Sequence, residues 1–99
     1  MADTNRARET LTDGTTPTAV EVRVEFKPGV LDPEAASIEK SLGLLGIPEV
    51  SHVSTARVYR LEFGTVSLAE AERLAARAVD RLLANPVIHR VTITPARGP

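Results

Sequence analysis

The order of secondary-structure signals along these 99 residues predicts an α+β fold, with two helices on one face of an antiparallel sheet and the element order β-α-β-β-α-β. Three observations carry the prediction. Val20, Val22, Val24 and Phe26 alternate with Glu21, Arg23 and Glu25, the period-two pattern of a half-buried strand. Helical apolar spacing follows two strong start signals, Asp32-Pro33 and Ser67-Leu68-Ala69-Glu70. Between them, Val50 to Phe63 is rich in β-formers. That order is the ferredoxin-like arrangement.

The first strand ends at Lys27-Pro28-Gly29, because proline cannot donate to a ladder and glycine turns the chain. Asp32 suits the N-cap of the first helix and Pro33 its first position. Ile38, Leu42 and Leu45, joined by Ala35, give that helix an apolar stripe, and Gly46 and Pro48 stop it. The β-rich stretch is expected to contain a hairpin turning near Ala56-Arg57, although neither is a favoured turn residue. The Ser67–Glu70 capping box opens the second helix, which Leu68, Ala71, Ala75, Ala78, Val79 and Leu82 line at helical spacing. Asn85-Pro86 closes it, and Val87 to Thr94 is the last strand. Residues 1–18 read as a disordered N-terminal tail, 19–94 as the one domain and 95–99 as a C-terminal tail.

Composition narrows the function. The apolar fraction of 42% and charged fraction of 25% are those of a soluble globular protein. Aromatic residues are only 3%, so the core is aliphatic. A chain this short buries a modest share of its surface and gains from oligomerisation. A net charge of −1 with no basic block supplies no nucleic-acid footprint. Without cysteine there is no disulfide or thiolate chemistry. No membrane span and no signal peptide are read, so the expected location is the cytoplasm.

No catalytic constellation emerges. His52 and His89 are the only histidines and complete no metal set, and there is neither a P-loop nor a G-x-G-x-x-G fingerprint. Catalytic, cofactor-binding and metal residues are therefore expected to be absent. Lys27-Pro28-Gly29 has the chemistry to touch an anion, but joining strand to helix is its simpler role. Arg73, Arg77 and Arg81 form a basic stripe on the second helix, read as a solvated face or a dock for an acidic surface. The open face of the sheet is expected to carry Glu21, Arg23, Glu25, Arg60, Glu62 and Arg90, a mixed-charge face unlike an RNA-stacking platform. Val50-Ser51-His52-Val53-Ser54-Thr55, read as the second strand, is an edge without proline or formal charge. Unguarded edges invite pairing, so this strand, with the following hairpin through Tyr59, is expected to help form a homodimer. The alternative is an edge covered by its own chain. Candidate interface residues are Lys27, Val50, His52, Val53, Arg57, Tyr59 and Arg60.

Two segments also carry a resemblance. Val24-Glu25-Phe26-Lys27-Pro28-Gly29-Val30-Leu31-Asp32-Pro33 and Leu82-Leu83-Ala84-Asn85-Pro86-Val87-Ile88 look like the hallmark segments of PurS, the small subunit of phosphoribosylformylglycinamidine (FGAM) synthase. Leu44-Leu45-Gly46 followed by Val50-Ser51-His52-Val53 resembles the middle pattern of that family, and the match spans residues 20 to 94. This chain has Ala56-Arg57 where the family often has Gly-Lys, and its N-terminal tail is longer. The resemblance implies a PurS-like dimer that is a non-catalytic subunit of an ATP-dependent, glutamine-using C–N ligase in purine biosynthesis. Its implied partners are the large synthetase subunit (PurL) and the glutaminase subunit (PurQ), between which it supports ammonia transfer. ATP and Mg are used by the complex, with no cofactor bound by this chain. The competing reading from element order is an ACT-like small-molecule sensor domain.

Overall fold

The computed structural model describes residues 17–96; most of the expected N-terminal tail and the last three residues of the C-terminal one lie outside that range. The elements are β1 (Thr18–Phe26), α1 (Pro33–Leu44), β2 (Ala56–Phe63), α2 (Leu68–Ala78) and β3 (His89–Ala96), and a π-helical turn over Val79–Leu83 prolongs α2. The three strands form an antiparallel sheet in the order β2-β1-β3. The class is the predicted one, α+β and ferredoxin-like. β3 runs through Pro95 and Ala96, two residues into the stretch read as a tail.

One strand and its hairpin are corrected. Val50–Thr55 joins no sheet among the described residues, and no turn falls at Ala56-Arg57. Those two residues open a continuous strand, with Ala56 opposite Glu25 and Arg57 opposite Val24. Two-residue hairpins favour glycine, asparagine or aspartate because their turns need positive φ. Among the described residues only Gly29 and Gly46 adopt it. The chain therefore runs straight through the junction, and the sheet edges are β2 and β3.

Alternation along β1 makes the core. Val20 and Val22 are fully buried and Val24 nearly so, packed with Ala71 and Ala75 of α2. Alanine at both helix positions lets the helix backbone approach the sheet closely. Tyr59 and Leu61 from β2 and Val91 and Ile93 from β3 close the sides.

The helix ends follow from local chemistry. Asp32 Oδ1 accepts from the Ala35 N–H at 3.0 Å, capping α1. Gly46, at φ 87°, ends it with paired bonds: Gly46 N–H to Gly43 O at 3.2 Å and Ile47 N–H to Leu42 O at 2.9 Å, a Schellman motif. Ser67 Oγ accepts from the Glu70 N–H at 3.1 Å. The capping box is only half formed, since the Glu70 carboxylate turns forward to Arg73 Nε at 3.1 Å.

The two helices differ in what they cover. α2 lies on the sheet. α1 begins on the same side, but Ala35 is its single buried residue. α2 packs against β1 and β3, whereas α1 makes no comparable contact with the sheet, so α1 is the part that stands off.

Candidate interaction surface

The structure brings the segments 24–33 and 82–88 together at one end of the sheet. Phe26 lies opposite His89 in the β1–β3 register, their rings tilted at 45° with centroids 5.2 Å apart. The Lys27 N–H donates to Ile88 O at 2.9 Å. Val30 N–H closes a turn onto Lys27 O at 3.1 Å, with Pro28 and Gly29 (φ 86°) in the two central places that a type II turn assigns them. On the other segment Asn85 is the hub. Its Oδ1 accepts from Val87 N–H at 2.9 Å, its carbonyl from His89 N–H at 2.8 Å, and its own N–H donates to His89 Nδ1 at 2.9 Å.

A second assembly joins α1 to the stretch before β2. The other oxygen of Asp32 accepts from Thr55 Oγ1 at 2.7 Å and Thr55 N–H at 3.1 Å. Two turns along the helix, Glu39 Oε2 accepts from Val53 N–H at 2.8 Å and lies 3.3 Å from His52 Nδ1. The Ala35 N–H and then the Thr55 hydroxyl hold the Asp32 carboxyl below its usual range. Val53 and Thr55 are two residues apart, so in an extended chain their N–H groups point the same way, here toward α1. Those of His52 and Ser54 have no protein acceptor among the described residues. The segment is thus tied to α1 on one edge and open on the other.

The candidate residues do not converge on one site. Arg57 and Tyr59 line a cleft of about 420 Å³ between the start of α1 and the sheet, over Val24, Phe26 and Leu83. Lys27, His52 and Val53 line a neighbouring cleft of about 300 Å³ with Arg90. Val50 is 40% exposed near the end of the extended segment. Arg60 is on the opposite, open face, its Nε bonding Glu62 at 3.0 Å. That face carries the expected mixed charges, with Glu25 taking Arg23 at 3.3 Å and Arg90 at 3.4 Å.

Sequence reasoning missed the two carboxylate ties. Asp32 was legible as a cap, and Glu39, seven residues on, shares its helix face; the partner stretch was not legible, having been read as a sheet strand. It also missed that the C-terminal end of α1 stays bare. Leu44 is 80% exposed and Leu45 75%. Among the described residues no group of three or more His, Cys, Asp or Glu could hold a metal, and no helix is long and apolar enough to cross a membrane.

The fold defines the class, a small ferredoxin-like α+β domain. Residues 19–97 match the PurS family model, described as phosphoribosylformylglycinamidine (FGAM) synthase. The chain is 45% identical over 73 residues to the FGAM synthase subunit PurS of Archaeoglobus fulgidus, covering 74% of this chain and 91% of that one. With the same subunit of Methanothermobacter thermautotrophicus it is 47% identical over 70 residues, 71% of this chain and 82% of the relative. The crystal structure of Methanocaldococcus jannaschii PurS, a subunit of formylglycinamide ribonucleotide amidotransferase in purine biosynthesis, superposes with a TM-score of 0.72 at 28% identity, over 83% of this chain and 99% of that one. Bacillus subtilis PurS superposes with a TM-score of 0.71 at 26% identity, over 81% and 99%. The chain belongs to the PurS family of FGAM synthase subunits, a ligase of purine biosynthesis.

Proposed function

We propose that this chain is the non-catalytic small subunit that, as a homodimer, bridges the large synthetase subunit and the glutaminase subunit and supports transfer of ammonia between them. The complex converts formylglycinamide ribonucleotide, glutamine and ATP, with Mg, to formylglycinamidine ribonucleotide, glutamate, ADP and phosphate. This chain binds no cofactor in that scheme, and it works in the cytoplasm.

The observation that carries the reading is the uncovered module of α1 and residues 50–55. A helix with Leu44 and Leu45 exposed gains by burying them, at about 25 cal/mol per Å² of apolar surface. An extended segment with its outer N–H groups open can accept a strand from another chain through main-chain bonds. A second copy offers both features at once, and a two-fold axis makes one patch serve both sides. Lys27, Val50, His52, Val53, Arg57 and Tyr59 border this module and are the residues assigned to the contacts. Arg60 is assigned to the open face.

Reconstitution from the purified synthetase and glutaminase subunits, with and without this chain, tests the role. Glutamine-dependent synthesis should require the chain, while synthesis from added ammonia should need it less. Equal glutamine-dependent rates with and without it would contradict the proposal.

A further inference from the structure

We propose that the cleft at the start of α1 is filled by the far end of the same helix in a second copy, with Leu45 of each chain entering the cleft of the other. The inference rests on the homodimer reading and deepens it, by fixing how the two copies are arranged.

The cleft and the leucines sit at opposite ends of one rigid element. Val24, Phe26, Tyr59 and Leu83 give the cleft an apolar floor, and Glu34, in the first turn of α1, lines its side. Leu44 and Leu45 stand exposed where the helix ends. The 12 residues of α1 hold the two ends about 18 Å apart. A chain therefore cannot bring its own leucines to its own cleft, whereas a second copy can.

The helix surface sets the direction. Glu34, Ser37, Ser41 and Leu44 recur at helical spacing, are all exposed, and lie on the side of α1 turned away from Glu39. Their spacing is the same read from either end. Two copies of α1 laid antiparallel about a two-fold axis at mid-helix thus set Glu34 against Leu44 and Ser37 against Ser41 across the contact. The serines are short enough to let the axes approach to the roughly 8–10 Å of packed helices. Leu45 lies two turns on from Ile38, on the flank that leads to buried Ala35 and the sheet, so this order points it at the cleft of the other copy. Parallel helices would set Glu34 against itself and leave both clefts empty. One axis fills two clefts and covers two leucine ends, which makes the patch self-complementary and the occupant a second copy rather than a different chain.

The test exploits the composition. Tyr59 is the only tyrosine, and the chain has neither tryptophan nor cysteine, so intrinsic fluorescence reports the cleft and an introduced thiol is unique. Self-association of the full chain is followed by sedimentation, with acrylamide quenching of Tyr59 at each concentration. Quenching should fall as dimer forms. Leu45→Ser should weaken self-association at least about tenfold and leave Tyr59 open at concentrations that protect it in the wild type. Oxidation of Glu34→Cys and Leu44→Cys chains as a mixture should give far more covalent dimer than either alone, since a disulfide needs Cα atoms within about 7 Å. Tyr59 quenched equally in monomer and dimer, or Leu44→Cys alone matching the yield of the mixture, would overturn the arrangement while leaving the dimer standing. A wild-type chain that stays monomeric would contradict the homodimer reading itself, and this inference would fall with it.

Discussion

Where α2 crosses the sheet, Val20 and Val22 are sealed against Ala71 and Ala75. Along α1, Ala35 alone is buried, and Leu44 and Leu45 face outward. Both helices start on a side-chain cap and run for similar lengths, 12 and 11 residues. Caps and length therefore do not separate them, although α2 is much the more strongly amphipathic of the two. They differ in what their apolar faces meet. One face is satisfied inside the chain, and the other is left largely uncovered. On the dimeric reading proposed above, the contrast also explains why so small a core suffices: assembly would complete it.

Substitutions should split along the same line. In the packed half, Val22→Ala should cost about 2 kcal/mol and lower the melting temperature by roughly 10 °C. Ser67→Ala removes the cap of α2 and should cost about 1 kcal/mol, read by denaturant unfolding. In the open half, Leu44→Ser/Leu45→Ser should change the stability of the dissociated chain by no more than about 0.5 kcal/mol, while sharply weakening self-association in sedimentation. A loss like that of Val22→Ala, measured at a concentration where the chain is monomeric, would mean that α1 is covered by its own chain.

Acid provides the subtlest probe of the open half. Asp32 is held below its ordinary value of 3.8 by bonds to Ala35 and Thr55. A depressed carboxylate stabilises the fold at pH above that ordinary value, and the contribution fades as pH falls through the lower, folded value. Backbone resonances of Thr55 and Ala35 should therefore shift together below about pH 4, the ordinary aspartate range, and ahead of those in β1. Thr55→Val, which removes the hydroxyl donor, should move that shift to higher pH. A Thr55 resonance indifferent to acid in the wild type would show that the tie is not formed.

The parts of this fold that were legible in the sequence are those decided within a few residues. Alternation from Val20 to Phe26 gave the central strand and its inward face, and Asp32 and Ser67 announced the two helices. The stripe of Ile38, Leu42 and Leu45 showed that α1 has an apolar face. Periodicity reports that a face wants cover and cannot report whose atoms supply it. The hairpin at Ala56-Arg57 was read from the β-richness of residues 50–63, yet without a favoured turn residue β2 simply begins there and the stretch before it lies off the sheet. The ties from Asp32 to Thr55 and from Glu39 to Val53 span 23 and 14 residues, beyond any local pattern. The candidate residues scattered for a simple reason. Tyr59 and Arg60 are neighbours on a strand and must face opposite sides.

Amide hydrogen exchange as a function of protein concentration tests the central contrast most directly. The account predicts that the His52 and Ser54 amides exchange quickly in dilute solution and become protected as the chain self-associates, while Val22 in β1 stays protected throughout. Protection of His52 and Ser54 that is already complete in the monomer, or that never rises with concentration, would contradict it.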